Sequence, residues 1–364
     1  MRCIVVGAGI VGCAVAHELA SRGAHVRLLD MRDVGQGATR ASAGVLCPYI
    51  EGHAAALLQL GVRSLRMYDG FIEAVRADSN VPVEYRRTGT LEVALTDEQA
   101  AGLRAQAERH AASGVEHRYL DTRETRELEP GLSAEVAGAL LVPEHGYVGV
   151  SGLARALADA CRARGATILR GAAVRSVEQK LAHVEVVVDE GPLAADVVVI
   201  AAGSWSSALQ IGHAQVPVKP VRGQLLQLGF AGPPAARVIW GRDCYLVPWT
   251  SGSMLVGATA EDVGFDESAT VAGVRDLLDA ACELLPSSWS ARLEDVRVGL
   301  RPATSDELPI IGHSSAMPGV VFATGHFRNG VLLAPLTARL VGGLVLSELA
   351  DADLSLTRPA RFGL

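Results

Sequence analysis

The sequence has few lysines and asparagines and no long run of either charge. Among 364 residues only Lys180, Lys219, Asn80 and Asn329 represent these two types, while arginine and alanine are abundant. We interpret this bias as GC-rich codon usage, without functional meaning. The 33 basic and 40 acidic side chains leave a net charge of −7. This balance argues against a nucleic-acid partner.

Paired cysteine motifs are also missing. The sequence contains no CxxC pair, and the six cysteines lie far apart, at Cys3, Cys13, Cys47, Cys161, Cys244 and Cys282. This spacing disfavours a disulfide framework and a cysteine metal site. We therefore expect reduced thiols in a cytoplasmic protein, with no bound metal.

Long hydrophobic runs are scarce, and two stretches resemble membrane segments. Residues 1–20 contain three spaced glycines and no clear small-residue cleavage site, which disfavours a signal peptide. Residues 331–350 carry Arg339 near their middle, and an arginine there would cost roughly 2.5 to 3.5 kcal/mol in a bilayer. We expect a buried core helix in this stretch and no membrane span.

The N-terminal segment has the pattern of a dinucleotide-binding βαβ unit. A β-branched run precedes Gly7, Gly9 and Gly12 in G-x-G-x-x-G order, and a helical pattern leads to a second strand that ends in Asp30. Such a turn lets a pyrophosphate approach the helix N-terminus, and the acid accepts hydrogen bonds from ribose hydroxyls while repelling a 2'-phosphate. The alternative is a glycine-rich turn without a ligand.

The rest of the chain interrupts and then resumes this α/β pattern. A small-residue loop at 35–44 precedes a predicted amphipathic helix over 54–77, and strands and helices of mixed order follow. A predicted strand pair covers 84–95, and Ser151 is expected to cap a helix. From residue 217 the pattern is that of antiparallel strands, and an apolar helix is expected from about Gly330.

The predicted fold is α/β with two interleaved domains. The mainly parallel domain is assigned to residues 1–80, 148–216 and 297–350. The second domain, of α+β type with a mainly antiparallel sheet, is assigned to residues 81–147 and 217–296. Residues 351–364 are expected to form a C-terminal tail.

Four features favour FAD over NAD, although both contain an ADP half. The βαβ unit begins at residue 2, is interrupted early and is followed by the loop TRASAG; the strand VVIAAG comes late, and GHFRNG opens a terminal helix. This order resembles the glutathione-reductase-type FAD domain and, within it, the D-amino-acid oxidase and glycine oxidase superfamily. The most specific parts are GLRPATSDELPIIG, FATGHFRNGVLLAP, CYLVP and LVGAT, which are similar to bacterial glycine oxidases of the thiazole pathway.

The resemblance, which runs from Ile4 to about Leu349, implies a noncovalent FAD, a small amino-acid substrate and O2 as electron acceptor. It implies that Arg301 and Tyr245 hold the substrate carboxylate and that Arg328 lies beside them. The planar fork of arginine matches a carboxylate, and a tyrosine hydroxyl adds a directional bond. The alternatives are an ion pair of Arg301 with Asp306 or Glu307 and a core role for Tyr245.

The resemblance also implies which residues contact the cofactor. A helix beginning at Gly330 is expected to direct its positive end at the flavin N1 and C2 carbonyl. His326 is either a base or a structural hydrogen-bonding residue. The full set of expected cofactor contacts is Gly7, Gly9, Gly12, Asp30, Met31, Thr39, Arg40, Ala41, Ala43, Gly44, Val174, Ala202, Gly203, Arg301, His326, Arg328, Asn329, Gly330 and Val331.

Three positions depart from glycine oxidases, which often carry methionine in place of Val45 and Ala260 and histidine in place of Asp243. These departures predict a wider pocket for a glycine with an N-substituent, cleaved to glyoxylate and an amine with release of H2O2. The alternatives are a dehydrogenase with another acceptor, an NAD-linked dehydrogenase and a non-catalytic flavin-binding protein. An assembly of identical chains is compatible with the sequence.

Overall fold

A computed structural model describes residues 1–50, 54–348 and 351–364, so Leu349 and Ala350, near the end of the predicted terminal helix, lie outside the described residues. Short 3-10 helices lie at Gly37–Thr39, Gly203–Ala208, Pro286–Ser290 and Pro359–Phe362. The strands and α-helices follow in the order β1 (Arg2–Val6), α1 (Ile10–Ser21), β2 (His25–Asp30), β3 (Val45–Leu46), α2 (Ala55–Asp78), β4 (Tyr85–Arg86), β5 (Thr90–Ala94), α3 (Asp97–Ala112), β6 (Arg118–Leu120), α4 (Thr122–Leu128), β7 (Gly138–Val142), β8 (Gly146–Val148), α5 (Val150–Ala163), β9 (Thr167–Arg170), β10 (Ser176–Gln179), β11 (Val184–Val188), β12 (Gly191–Ala195), β13 (Val197–Ile200), β14 (Gln210–Ile211), β15 (Lys219–Gly229), β16 (Val238–Trp240), β17 (Tyr245–Pro248), β18 (Ser253–Gly257), α6 (Val271–Leu284), β19 (Arg292–Ala303), β20 (Ile310–His313), β21 (Val320–Thr324), α7 (Ala334–Val345) and α8 (Leu354–Thr357).

A six-stranded sheet has the order β20-β21-β13-β1-β2-β9 and is parallel except for the pair β20–β21. Its central strands β1 and β13 are apolar and almost completely buried, as expected for strands covered on both faces. Helices α1, α2, α5 and α7 pack on one face, and the sheet β12-β11-β10-β14 covers the other. The prediction of an α/β fold is confirmed.

The larger sheet has the order β19-β15-β18-β17-β16-β5-β7-β6 and is antiparallel except for the pair β5–β16. Helix α6 packs on one of its faces. A small antiparallel sheet has the order β3-β8-β4. Each large sheet combines distant segments of the chain, while the residue bounds of two separate domains stay a prediction.

Two predicted details are wrong. The predicted strand pair over 84–95 contains β4 and β5, but these strands join different sheets: β4 pairs with β8, and β5 pairs with β7 and β16. Helix α5 is capped by Gly149 and not by Ser151. The Leu153 N–H donates to the Gly149 carbonyl at 2.9 Å, so the first helical turn is complete before a Ser151 cap could act.

Helix α7 begins at Ala334, four residues after the predicted start at Gly330. The helical partner of the Val331 carbonyl would be residue 335, which is proline and has no N–H. That carbonyl accepts from the Tyr68 hydroxyl at 2.6 Å and from the Ala334 N–H at 3.2 Å, and the Ser64 hydroxyl donates to the Leu332 carbonyl at 2.6 Å. These two side chains of α2 hold residues 330–333 as a separate turn.

The six cysteines are free and buried, and burial raises the pKa of the Cys3 thiol to about 11. Among the described residues, none of the helices has the length and apolar character needed to cross a bilayer. The described parts of the chain also contain no group of three or more His, Cys, Asp or Glu residues arranged to hold a metal ion.

Candidate active site

A cavity of about 830 Å³ lies between the six-stranded and eight-stranded sheets. The carboxyl ends of β1, β2, β13 and β21 form one wall, and residues of β16, β17, β18 and β19 form the other. Ligands of open α/β sheets bind at the carboxyl ends of the parallel strands. The cavity is therefore the candidate active site.

The glycine turn after β1 lines one end of this cavity. Gly7 has a φ of +104°, and a Cβ there would lie 2.4 Å from the Ala201 carbonyl oxygen. Gly9 caps α1 without a side chain, and a Cβ there would lie 3.2 Å from the Thr39 hydroxyl. A Cβ on Gly12 would lie 1.8 Å from the Gly7 carbonyl oxygen, so Gly12 permits close packing and does not line the cavity.

Asp30 stands at the end of β2, beside this turn. Its carboxylate accepts hydrogen bonds from the Ala8 N–H at 2.6 Å and the Arg32 N–H at 2.7 Å. Burial raises the pKa of Asp30, an effect that the two N–H donors oppose. The carboxylate faces the cavity at the position where the sequence predicts a ribose partner.

Apart from Gly12 and Arg40, the residues predicted to contact the cofactor line the cavity, and so do Val45, Asp243 and Ala260. The Arg40 side chain is 55% exposed and lies 3.7 Å from Asp295. The structure therefore brings together nearly all of the predicted site, and the role of each residue stays a prediction.

The turn between β21 and α7 closes the cavity wall. Phe327 has a φ of +47°, in the left-handed region, and its N–H donates to the Pro302 carbonyl at 2.8 Å. The Arg328 guanidinium lies 5.2 Å from the centre of the Phe327 ring. Residues 326–332 line the cavity, so this turn stands where the sequence predicts the helix N-terminus.

The Arg301 side chain lies on the surface of the eight-stranded sheet. From β19 it passes over β15, where a Cβ on Gly223 would lie 2.4 Å from the guanidinium carbon. Its Nη1 donates to the Thr259 carbonyl at 2.8 Å and to the Arg222 carbonyl at 3.4 Å. The absence of a side chain at Gly223 is what allows Arg301 to lie flat on the sheet.

Tyr245 approaches the same region from the opposite side. It is paired in register with Gly257, where a Cβ would lie 2.5 Å from the Tyr245 hydroxyl. The Trp240 ring lies 4.9 Å from the Tyr245 ring. A glycine on the neighbouring strand thus makes room for each of the two predicted carboxylate-binding side chains.

The alternatives for these residues differ in outcome. Asp306, one of the two acids considered as ion-pair partners of Arg301, forms an ion pair with Arg361 at 2.7 Å. His326 is buried, its Nε2 lies 2.9 Å from the Thr337 hydroxyl, and burial lowers its pKa to about 3. These contacts favour a structural role for His326 over that of a base.

The sequence prediction missed Trp240, Arg32 and Trp205, which also line the cavity. The Arg32 guanidinium lies 4.4 Å from the centre of the Trp205 ring and forms a bidentate ion pair with Glu267 at 3.0 and 2.7 Å. Trp240 was detectable, because the pattern VIWGRDCYLV suggests a hairpin that sets this ring beside Tyr245. The Arg32–Glu267 pair joins residues 235 positions apart, and no local pattern indicates it.

The donor set at the glycine turn fits a dinucleotide. The first N–H groups of a helix have no intrahelical partner and carry partial positive charge, and the first turn of α1 reaches the cavity through Ile10 and Val11. Gly7 and Gly9 line the cavity, and a Cβ would meet the Ala201 carbonyl at Gly7 and the Thr39 hydroxyl at Gly9, so the turn requires glycine at Gly7 and leaves little room for a side chain at Gly9. The Asp30 carboxylate is the acceptor that the sequence predicts for ribose hydroxyls.

Known proteins match almost the whole chain. The model of a family described as FAD dependent oxidoreductase matches residues 2–344. A glycine oxidase from Geobacillus kaustophilus is 32% identical over 362 residues, which cover 97% of this chain and 96% of the relative. The bifunctional protein ThiO/ThiG from Nostoc sp. is 34% identical over 97% of this chain, but the chain spans about half of that relative's length, 54%.

Solved structures agree with these matches. The crystal structure of a glycine oxidase from Geobacillus kaustophilus has a TM-score of 0.93 and 31% identity, with 98% of each chain covered. The iminodiacetate oxidase from Chelativorans sp. BNC1 has a TM-score of 0.91 and 28% identity, covering 98% of this chain and 99% of that one. The predicted resemblance is confirmed: this chain belongs to the family of FAD dependent oxidoreductases and is an enzyme whose cofactor is FAD.

Proposed function

We propose that this enzyme oxidises the carbon–nitrogen bond of glycine, an N-substituted glycine or another small amino acid. The observation that carries the proposal is the approach of Arg301 and Tyr245 to the segment Gly257–Thr259 from opposite sides, in the wall of a cavity that also contains the dinucleotide turn. A guanidinium and a hydroxyl are suited to hold a carboxylate, each charged bond contributing roughly 1.5 to 3 kcal/mol.

Positioning is the main contribution of this chain to the reaction. When bound, FAD would supply the acceptor for a hydride from Cα while the lone pair of the neutral amine forms an imine, which water hydrolyses to glyoxylate or another 2-oxo acid and an amine or ammonia. Arg301 and Tyr245 would fix the carboxylate and hence the orientation of Cα. No base is required, in agreement with the contact of His326 with Thr337. We propose O2 as the final electron acceptor, which is reduced to H2O2.

The substrate is further proposed to carry a substituent on nitrogen. Val45 and Ala260 line the cavity and are smaller than the methionines common in glycine oxidases, and Asp243 contributes an acid to the same wall. Iminodiacetate, the compound named for one of the similar structures, is itself a glycine with an N-carboxymethyl group. A pocket widened at these positions would accept substrates of this class.

An anaerobic reduction screen tests the proposal. Purified holoenzyme is mixed with glycine, sarcosine, D-alanine, iminodiacetate and larger N-carboxymethyl amines, and the loss of flavin absorbance is recorded. We expect N-substituted glycines to bleach the flavin faster than glycine does. If free glycine reduces the flavin as fast or faster, the proposed N-substituent is contradicted. If none of the amines bleaches the flavin, the proposed amine oxidation is contradicted. Admission of air should then yield H2O2, whereas its absence would indicate another acceptor.

A further inference from the structure

The segment 259–270, which we name the acidic strap, connects β18 to α6 and contacts both ends of the cavity. At the nucleotide end, Glu267 pairs with Arg32 at 2.7 Å. At the other end, Thr259 accepts a hydrogen bond from Arg301 at 2.8 Å. Glu261 lies within this strap but is not part of the cavity wall.

The Glu261 carboxylate is the centre of a hydrogen-bond network. Its Oε1 accepts from the Thr259 hydroxyl at 2.6 Å and from Gln224 Nε2 at 2.7 Å, and its Oε2 accepts from Arg222 at 2.5 Å. The Arg222 side chain is 4% exposed and also pairs with Asp266 at 2.6 Å. The Arg222 bond, with smaller contributions from Thr259 and Gln224, lowers the pKa of Glu261 to about 2, so the carboxylate is ionised at neutral pH.

The carbonyls of Thr259 and Arg222 accept hydrogen bonds from Arg301, and Glu261 bonds to both of these residues. Glu261 bonds both of these side chains, and its backbone pairs with Arg222 in both directions at 2.8 and 2.9 Å. The Thr259 hydroxyl also accepts from the Gln224 N–H at 3.0 Å. The orientation of the Arg301 guanidinium therefore depends on the position of Glu261.

We propose that Glu261 is a positioning residue that, through the carbonyls of Thr259 and Arg222, holds Arg301 in the orientation that binds the substrate carboxylate. This inference rests on the proposed function, because it requires Arg301 to bind a carboxylate. A fixed guanidinium loses less side-chain freedom when the substrate binds. Loss of Glu261 leaves Arg301 in the cavity but lets it adopt other orientations.

The test compares Glu261→Gln with the neighbouring Asp262→Asn in the holoenzyme. Asp262 is 70% exposed and pairs with the exposed Lys219, so it provides the same loss of charge outside the network. Acetate, an unreactive carboxylate, is titrated while the flavin absorbance spectrum is recorded. We expect the dissociation constant of acetate to rise roughly tenfold in Glu261→Gln and to stay within about twofold in Asp262→Asn.

A double-mutant cycle separates positioning from a general structural effect. The slope of the anaerobic flavin-reduction rate against substrate concentration is measured with the fastest substrate of the screen. Glu261→Gln should lower this slope about tenfold in the natural chain and less than about twofold in the Arg301→Ala background, because coupled residues are not additive. In steady state, KM should rise while kcat changes little. Additive effects in the cycle would overturn the proposal.

Arg301→Ala is assayed in parallel, so that failure of the positioning role of Glu261 can be distinguished from failure of the carboxylate-binding role of Arg301. If acetate binding weakens in Arg301→Ala but not in Glu261→Gln, the positioning role is wrong and the carboxylate clamp stands. If neither substitution weakens acetate binding, the carboxylate-binding role of Arg301 is itself wrong.

Should Glu261→Gln fail to retain flavin, Thr259→Val replaces it. This substitution removes the hydroxyl bond to Glu261 and keeps the Thr259 backbone carbonyl. We expect about threefold weaker acetate binding in that variant, and an unchanged value contradicts the proposal.

Discussion

The two ends of the cavity are built in different ways. The end predicted to bind the nucleotide is lined by one short segment: Gly7 and Gly9 stand where a Cβ would meet neighbouring atoms, and Asp30 follows at the end of the next strand. At the substrate end, side chains from separate strands meet, with Arg301 and Tyr245 lying over glycines of neighbouring strands. We expect substitutions at the first end to abolish cofactor binding and substitutions at the second to change substrate binding in graded steps.

The largest effect is expected for Gly7→Ala. The added Cβ would lie 2.4 Å from a backbone oxygen at a φ of +104°, so the turn must open and the cofactor site is lost. Flavin content after gel filtration measures the effect, and we expect almost none to remain. Gly70→Ala is the control, because a Cβ there meets nothing within 4 Å. Full flavin retention in Gly7→Ala would contradict a backbone-built nucleotide site.

Arg301→Ala should affect the substrate end alone. Loss of two charged hydrogen bonds, each roughly 1.5 to 3 kcal/mol, should raise KM by about a hundredfold or more, while flavin content stays unchanged. Arg292→Ala, on the same strand with its side chain 78% exposed, is the matched control and should keep its KM. Loss of flavin from Arg301→Ala would indicate that the two ends are not separable.

The double substitution Val45→Met/Ala260→Met should narrow the pocket. Added side-chain volume excludes an N-substituent but not free glycine, so the ratio of kcat/KM for N-substituted glycine to that for glycine should fall about tenfold. Steady-state assays with both substrates measure it. If the ratio is unchanged, these two positions do not determine the choice of substrate.

Tyr245→Phe removes a hydroxyl and keeps the ring beside Trp240. A hydrogen bond to a carboxylate contributes at least about 1.5 kcal/mol, so KM should rise about tenfold and kcat should change less. Trp240→Phe serves as the comparison, since it alters the same ring contact without removing a carboxylate ligand. A larger effect in Trp240→Phe would assign the contribution of this pair to packing.

The smallest effect on activity is expected for His326→Gln. Glutamine can keep a hydrogen bond to Thr337, so the profile of kcat/KM between pH 6 and 9 should be the same in the variant as in the natural chain.

The same substitution should change the pH dependence of stability. Burial lowers the folded-state pKa of His326 from 6.5 to about 3. Between pH 6.5 and pH 3, His326 is protonated in the unfolded chain but not in the folded one. The stability that the neutral His326 contributes is therefore complete above pH 6.5 and is lost as the pH falls toward 3. The free energy of unfolding, measured with urea, should therefore decrease less between pH 7 and pH 5 in the variant than in the natural chain.

The nucleotide end was predictable because its determinants are local. A β-branched strand, a glycine turn, a helix and an acid lie within about thirty residues, and each obeys a short-range steric or periodic rule. The same reasoning fails where a tertiary partner competes for a backbone group. At α7, Tyr68 and Ser64 bond the carbonyls of residues 331 and 332, and the helix begins four residues later than its apolar pattern predicts.

The sequence by itself determined the βαβ unit and the preference for FAD, while the carboxylate-binding pair Arg301 and Tyr245 is a prediction from resemblance to a family. The tertiary structure alone decided that Gly223 and Gly257 make room for that pair, and that Glu261 bonds Arg222 while Arg301 bonds the Thr259 carbonyl. The physical reason is distance along the chain. These contacts join residues about 12 to 80 positions apart, whose meeting depends on the register of four neighbouring strands, and register is set by the packing of the whole sheet.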